Sequence, residues 1–494
     1  MIWPAVDAIK QQISLLDYLQ TQTKGGINAP KILPQPRLGL AWDVMGNHKT
    51  VARGGFGITF DRYQSGLTGF GLTNPPFVLS PTLSNGYLQD IVPGGGGALS
   101  PLTITAVNED SKFPTIYSYS IGVQRNLGVG TVIDVSFVGS QSRHLSRRNN
   151  LNAPVYGATF RAAAQDPTKY AGGVIPATEP GLPTIYSAAG VAFSGANALP
   201  VDYLRPYQGY SDITNYNFDA NASYKSMQAS FNRRLASTLT FTAAYTLSRT
   251  TTTVSDDSTY TNIKDARFDY GPAAFDRTHY FVGTFVWDLP KAGKLVGGGA
   301  AARLILDNWK LTGNTSLASG SPTELGLSIS GQDAGNRLLG TYSAGNLAGQ
   351  APRFLLNGSP QSGGVINASA FVVPGVGNAG PYPRFYLRNP GIHNQDLAIS
   401  KNIPMGREGK RYLELRAEAF NVFNHPQYSG YNLATNVVNG AGQTGAAIFT
   451  NFTGLSVTNN VRPAGSTSVL GTYFGEYNGA RDMRILQLAA KFYF

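Results

Sequence analysis

The feature that most limits how this chain folds is a two-residue alternation of apolar and polar side chains, repeated in segments of about ten residues. It is clearest from Thr238 to Arg249. Leu239, Phe241, Ala243, Tyr245 and Leu247 fall on one side; Thr238, Thr240, Thr242, Ala244, Thr246 and Ser248 fall on the other. Successive side chains of a strand point to opposite faces, so this segment has one apolar face and one hydroxylic face. Just upstream, Met227, Ala229 and Phe231 alternate with Ser226, Gln228, Ser230 and Asn232, and the short connection 233–237 predicts a hairpin. Tyr117, Tyr119, Ile121 and Val123 alternate with Ser118, Ser120, Gly122 and Gln124 before Leu127-Gly128-Val129-Gly130 turns the chain into Ile133, Val135 and Phe137. Phe281, Phe285, Trp287 and Leu289 form a further apolar face, as do Trp309, Leu311 and Leu317 opposite Lys310, Thr312, Asn314 and Ser316.

Two late segments carry the argument furthest. In one, Leu413, Leu415, Ala417 and Ala419 oppose Tyr412, Glu414, Arg416 and Glu418; in the last, Leu486, Leu488, Ala490, Phe492 and Phe494 oppose Gln487, Ala489, Lys491 and Tyr493. A soluble sandwich also turns charges outward, but a thin apolar face beside polar positions, repeated in many long strands, suits lipid on one side and water on the other. About ten residues is the length a tilted strand needs to cross a bilayer. The expected fold class is all-β: an antiparallel transmembrane β-barrel, a partial one of the large-barrel type, with long extracellular loops. Tyr412, Glu414, Arg416 and Glu418 are the lumen-facing candidates.

Composition agrees. Charged residues are 14 % of the chain while hydrophobic residues are 42 %, and the balance lies in Gly (58), Tyr (26), Phe (25) and small polar residues, which form strands and turns better than helices. No run of about 18 apolar residues marks a transmembrane helix. The stretches 64–113, 150–215, 320–390 and 428–480 read as irregular, longer than compact soluble domains usually tolerate. The turns near 127–130 and 233–237 are expected at the periplasmic end and the long stretches outside. Tyr117, Tyr119, Tyr280, Phe281, Phe492, Tyr493 and Phe494 are expected in interfacial girdles. Residues 1–30 differ in texture: Ile9, Ile13 and Leu16 have helical spacing, so this segment reads as a short helix or as a loop cut from its context. The domain division is thus 1–30 and a barrel over 31–494.

A search for chemistry returns little. The chain has no Cys, which excludes thiolate metal sites and Cys nucleophiles. His48, His144, His279, His393 and His425 are all more than five residues apart, with no HExxH pair; His425 reads as a loop residue closing a strand end. There is no nucleophile elbow and no P-loop, and Gly297-Gly298-Gly299 leads only to alanines. Gly54, Gly55 and Gly57 lie in a strand pattern and read as a kink or close backbone approach. Asp256, Asp257, Asp265, Asp269 and Asp276 lack calcium-loop spacing and read as a solvated loop. The net charge of +11 is scattered, so no nucleic-acid partner is expected. Neither an enzyme nor a cofactor is expected.

Several segments resemble a known family. They are Pro36 to Asp43 with Lys49 to Asp61; Phe275-Asp276-Arg277-Thr278-His279-Tyr280 leading to Trp287-Asp288-Leu289-Pro290; Asn308 to Gly313 with Ser319-Gly320-Ser321-Pro322; Arg416 to Pro426; and Ala480-Arg481 leading into the last strand. Their order resembles the barrel of TonB-dependent outer-membrane receptors, specifically the Oar-like group. The resemblance implies outer-membrane localisation, lipid and the barrel-assembly machinery as partners, and energised uptake of a bulky, unidentified ligand. It also implies that Leu488, Phe492, Tyr493 and Phe494 form the signal read during assembly. Family members carry a signal peptide and a plug before a barrel of about 22 strands. Neither segment is visible here, and about 12 to 14 strands are legible by alternation. The chain is therefore expected to begin inside the barrel, to reach the TonB complex only through the missing plug region, and to insert poorly unless it closes on itself. A surface adhesion or matrix-interaction barrel without transport is the alternative.

Overall fold

Alternation fixes which face a residue takes; hydrogen-bonded register fixes what stands beside it. The structure, a computed structural model, describes residues 32–61, 102–108, 112–153, 206–207, 210–235, 238–254, 269–325, 329–332, 338–342, 355–362, 365–367, 370–372, 386–405, 411–433 and 475–494. Its strands are β1 (Arg37–Asp43), β2 (Thr50–Phe60), β3 (Leu102–Val107), β4 (Thr115–Gly128), β5 (Thr131–Asn150), β6 (Tyr210–Leu235), β7 (Leu239–Thr252), β8 (His279–Asp288), β9 (Trp309–Ala318), β10 (Ile392–Met405), β11 (Arg411–Phe420) and β12 (Ile485–Tyr493). All but β3 form one antiparallel path in chain order, and β3 lies parallel to β6. Short two- to five-residue strands make further small pairings between β9 and β12. Among the described residues the sheet holds thirteen strands: eleven on this path, β3, and the two-residue strand Gly271–Pro272, which pairs with β7.

Connection lengths alternate along this path. Residues 44–49, 129–130, 236–238, 289–308 and 406–410 join strands at one end. Residues 61–114, 151–209, 253–278, 319–391 and 421–484 join them at the other. The expected hairpins are present: β4 turns into β5 through Val129 and Gly130, and β6 into β7 after Leu235. Gly130 has φ +67°, and a Cβ there would lie 2.3 Å from the Arg234 carbonyl oxygen, so the turn needs glycine. Among the described residues β1 and β12 are the outer strands of the path, and both run toward the short-connection end.

Following the register across the sheet sorts side chains into two continuous faces. One carries Leu40, Phe56, Ile121, Val135, Ala229, Ala243, Phe285, Leu311, Ile399, Ala417 and Leu488; each up to Ala417 faces an apolar or aromatic residue of the next strand, except that Leu40, Ala243 and Phe285 face Gly54, Gly283 and Gly313. The other carries residues such as Ser120, Ser136, Gln228, Thr242, Thr284, Asn314, Asp396 and Glu418. The apolar face is not covered by protein: Leu488 is 83 % exposed, and Leu40, Trp42, Ile121 and Leu486 are exposed with it. The buried apolar side chains lie elsewhere, at the long-connection end. Phe371 and Leu387 are 0 % exposed, and Ile213, Tyr216 and Phe218 are buried in the outer half of β6. This is the reverse of a soluble sandwich, which buries the apolar face of its sheet.

Two stretches read as irregular are partly strand. Residues 102–107 pair with β6, and β5 and β6 run for 20 and 26 residues, well beyond the span a bilayer needs. The β5–β6 register shifts around Ser142 and Leu145, and His144 there has φ 59°. Beyond this irregularity the extension is tied by Arg147 bonding Asp219 through two guanidinium nitrogens. Asn152, fully buried, donates to the carbonyls of Tyr207, Tyr210 and Ser211 and accepts from the Tyr207 N–H. Such polar anchoring holds backbone that lies outside the regular ladder. The expectations for residues 1–30 lie outside the described residues.

Candidate functional site

The polar face leads from the short-connection end to a mouth at the long-connection end. The four candidates Tyr412, Glu414, Arg416 and Glu418 lie on it, alternating with Leu413, Leu415 and Ala417. Arg416 forms an ion pair with Glu418. Glu414 accepts a hydrogen bond from the Tyr493 hydroxyl at 3.1 Å, and the Tyr412 and Tyr493 rings stack at 4.5 Å. The structure thus joins Tyr412 and Glu414 to Tyr493. It also divides the terminal group: Leu488 and Phe492 stand opposite Ala417 and Leu413 on the apolar face, whereas Tyr493 stands opposite Tyr412 on the polar one. Phe494 follows the strand and stacks on Phe492. Tyr280 is likewise a polar-face residue, opposite Ala318, so it and Tyr493 do not share a face with Phe281 and Phe492.

Higher on the same face is a cavity of about 570 Å³, lined among others by Asn394, Asp396, Phe420, Asn421, Gln427 and Arg481. Its wall is built by the segment after β11. Asn421 and Asn424 adopt left-handed backbone conformations, φ 49° and 51°, which asparagine tolerates better than most residues. Asn421 then bonds His425 twice, accepting from its N–H and donating to its carbonyl, both at 3.0 Å. The Asn421 N–H donates to Asp396 and the Asn424 side chain accepts from the Arg484 N–H. His425 packs edge-on to His393, with ring centroids 4.8 Å apart. It therefore closes a strand end, as its sequence setting suggested.

The acidic loop is corrected by the structure. Asp276 is 1 % exposed and Asp269 is buried; Asp256, Asp257 and Asp265 lie outside the described residues. Asp276 accepts from the Thr250 N–H at 2.6 Å and pairs with Arg388 at 2.7 Å. Arg388 also donates to the Gly320 carbonyl. Gly320 itself admits no side chain, because a Cβ would fall 1.5 Å from the Asn389 carbonyl oxygen. Arg277 donates to the Ser319 carbonyl at 2.9 Å. Burial first, and then the guanidinium groups of Arg481 and Arg388, push Arg277 below the ordinary arginine range, while Asp276 pulls it back up. Spacing missed this latch because its members are separated by up to 112 residues. The only sequence signal is Asp276 between Phe275 and Arg277, in one of the segments that carry the family resemblance. Next to it Gln361 bonds both the Arg388 backbone and the Tyr431 hydroxyl, and the Tyr431 ring stacks on Tyr477, which stacks in turn on Tyr428. No group of three metal-ligating side chains occurs among the described residues.

Comparison with known proteins gives the following. The family described as outer membrane beta barrel domain matches residues 6–484. Solved structures similar to the chain include the outer membrane transporter YddB from Escherichia coli, with TM-score 0.38 and 11 % identity over 86 % of this chain and 39 % of that one. A ferric enterobactin receptor from Pseudomonas aeruginosa has TM-score 0.41 and 10 % identity, over 93 % of this chain and 40 % of that one. The siderophore receptor PiuA from Acinetobacter baumannii has TM-score 0.39 and 6 % identity, over 92 % and 35 %. The chain spans roughly two-fifths of the length of these proteins. No curated protein matches it.

Proposed function

The chain belongs to the outer membrane beta barrel domain family, and from that premise we propose that it is barrel wall of a TonB-dependent receptor of the Oar-like group, serving uptake of a bulky ligand. Its place is the outer membrane, so the exposed apolar face meets hydrocarbon and the polar face meets water. One observation supports the reading above others: the polar face runs from the Tyr412–Glu414–Tyr493 cluster through Arg416 and Glu418 to the cavity at the mouth, where Phe420 and Ile485 join its lining. A wall of this kind offers hydroxyls, amides and paired charges to a hydrated solute. Tyr412, Glu414, Arg416 and Glu418 are then lumen residues. Leu488, Phe492, Tyr493 and Phe494 are what the assembly machinery reads. The latch at Asp276 and the Asn421 turn shape the mouth, while gating and contact with the TonB complex belong to a plug.

The long β5–β6 extension favours a second reading, a surface-binding barrel without transport, because it places ordered surface far outside the membrane span. Uptake separates the two. Cells carrying or lacking the gene are offered fluorescein-labelled oligosaccharides, labelled peptide digests and radioactive ferric chelates, with and without a protonophore. The receptor reading expects gene-dependent accumulation of one probe class that the protonophore abolishes. Gene-dependent retention that the protonophore leaves unchanged, releasable by protease, would replace it with adhesion.

A further inference from the structure

Four of the five short connections have six residues or fewer; the fifth, 289–308, has 20. It folds into a 3-10 turn at Ala292–Val296 and a helix α1 at Ala300–Leu306. The two halves are pressed together: a Cβ on Gly293 would lie 2.8 Å from the Arg303 Cα, and the Gly293 N–H donates to the Asp307 carboxylate at 2.8 Å. So compact a unit would be expected to bury its apolar residues. Instead Leu295 is 85 % and Ile305 63 % exposed, Val296, Leu304 and Leu306 are exposed with them, and no residue of α1 is buried.

Its attachment shows which side of the sheet it occupies. Trp309 and Lys401 stand opposite each other on the apolar face. The Trp309 indole N–H donates to the Ile305 carbonyl at 2.8 Å, the Lys401 ammonium donates to the Asp307 carbonyl, and that ammonium lies 5.5 Å from the centre of the Trp309 ring. The end of α1 is therefore clasped by lipid-side residues. Trp42 and Trp287 lie at the same end of the same face, the level at which indoles mark a membrane–water interface. Lys291, Lys294 and Arg303 are exposed and have no carboxylate partner among the described residues, whereas Asp288 is paired with Lys310 and Asp307 is buried. Exposed apolar residues continuous with the lipid face, and unneutralised cations at headgroup level, are the two components of an interfacial anchor.

We propose that residues 291–306 are a monotopic anchor in the periplasmic leaflet, with Leu295, Val296, Leu304 and Ile305 in the acyl boundary and Lys291, Lys294 and Arg303 on the phosphates of anionic glycerophospholipid. The inference rests on the apolar face being lipid-facing, and the test separates the two. The chain has no Cys, so single cysteines at Leu304, Leu415 and His48 each carry one environment-sensitive fluorophore. Full-length protein is refolded into phosphatidylcholine vesicles with or without phosphatidylglycerol, and only chains that float after a urea wash are read.

The Leu304 label is expected to be quenched by lipids spin-labelled near the headgroup and the Leu415 label by lipids labelled deeper. The His48 label should be quenched by iodide. Phosphatidylglycerol should strengthen quenching at Leu304, by about fivefold in the local docking equilibrium for each basic residue; K291E, K294E and R303E together should abolish that gain. Iodide quenching at Leu304 equal to that at His48, with Leu415 still lipid-quenched, would overturn the anchor alone. Iodide quenching at Leu415 would overturn both readings. Lipid quenching at Leu304 without dependence on charge would overturn the anionic-lipid assignment.

Discussion

Replacing Arg388 with Met is expected to open the mouth at the long-connection end while leaving the strands in place. The substitution keeps most of the side chain's volume but removes the cation from Asp276, whose side chain is fully shielded from solvent. The hydrogen bond from the Thr250 N–H would remain on that carboxylate. Stranding a buried charge costs about 3 kcal/mol, roughly a hundredfold in the local closed-to-open ratio. Amide exchange in 271–277, 319–323 and 386–389 should accelerate by that order. Exchange in β9 and β11 should not. Adding Asp276→Asn should recover more than half of the loss, because the neutral amide still accepts from Thr250 and no longer needs the cation. Unchanged exchange in the single variant would mean that the pair does not hold the loops.

The second large effect follows from the register. Ala417 lies between Ile399 and Leu488 on the apolar face, and Ala398 lies between Thr312 and Glu418 on the polar face. Ala417→Arg places a guanidinium in hydrocarbon near the middle of the span, at about 2–4 kcal/mol. Ala398→Arg places the same group in water beside a carboxylate, and the effect should be close to zero. Recovery of protein in the outer-membrane fraction is therefore expected to fall steeply for Ala417→Arg and to match the parent for Ala398→Arg. Equal losses would show that the two faces do not differ in solvent.

Much of this fold is legible in the sequence, and the reason is physical. A strand has a period of two whatever it pairs with, so Leu239 to Leu247 and Leu413 to Ala419 announce their faces from local sequence alone. Neighbouring strands joined by tight turns inherit their register from those turns, as at Val129–Gly130. The misses are non-local or too short. The parallel pairing of β3 with β6 is set by contacts more than 100 residues apart in sequence. Helix α1 has seven residues, fewer than two full turns, so no periodicity could reveal it. The outer part of β6 alternates Tyr216, Phe218 and Ala220 with Asn215, Asn217, Asp219 and Asn221; the Asn and Asp residues disfavour a strand, and β3 and β5 on either side hold it as one. Asp276 reads as a solvated loop residue because its partner, Arg388, lies in a different connection. The candidate lumen residues follow from alternation, but the cluster that Tyr412 and Glu414 make with Tyr493 requires the pairing of β11 with β12.

The measurement that tests the central claim most directly is a cysteine scan of residues 226–232 in isolated outer membranes, read with a membrane-impermeant maleimide that enters the lumen. This part of β6 has β5 on one side and β7 on the other. A sheet with lipid on one face and water on the other predicts reaction at Gln228, Ser230 and Asn232 and protection at Met227, Ala229 and Phe231, while Ser226, buried and bonded to the Val138 carbonyl, is shielded by the sheet itself. Reaction at every position, or protection without a period of two, would contradict the account.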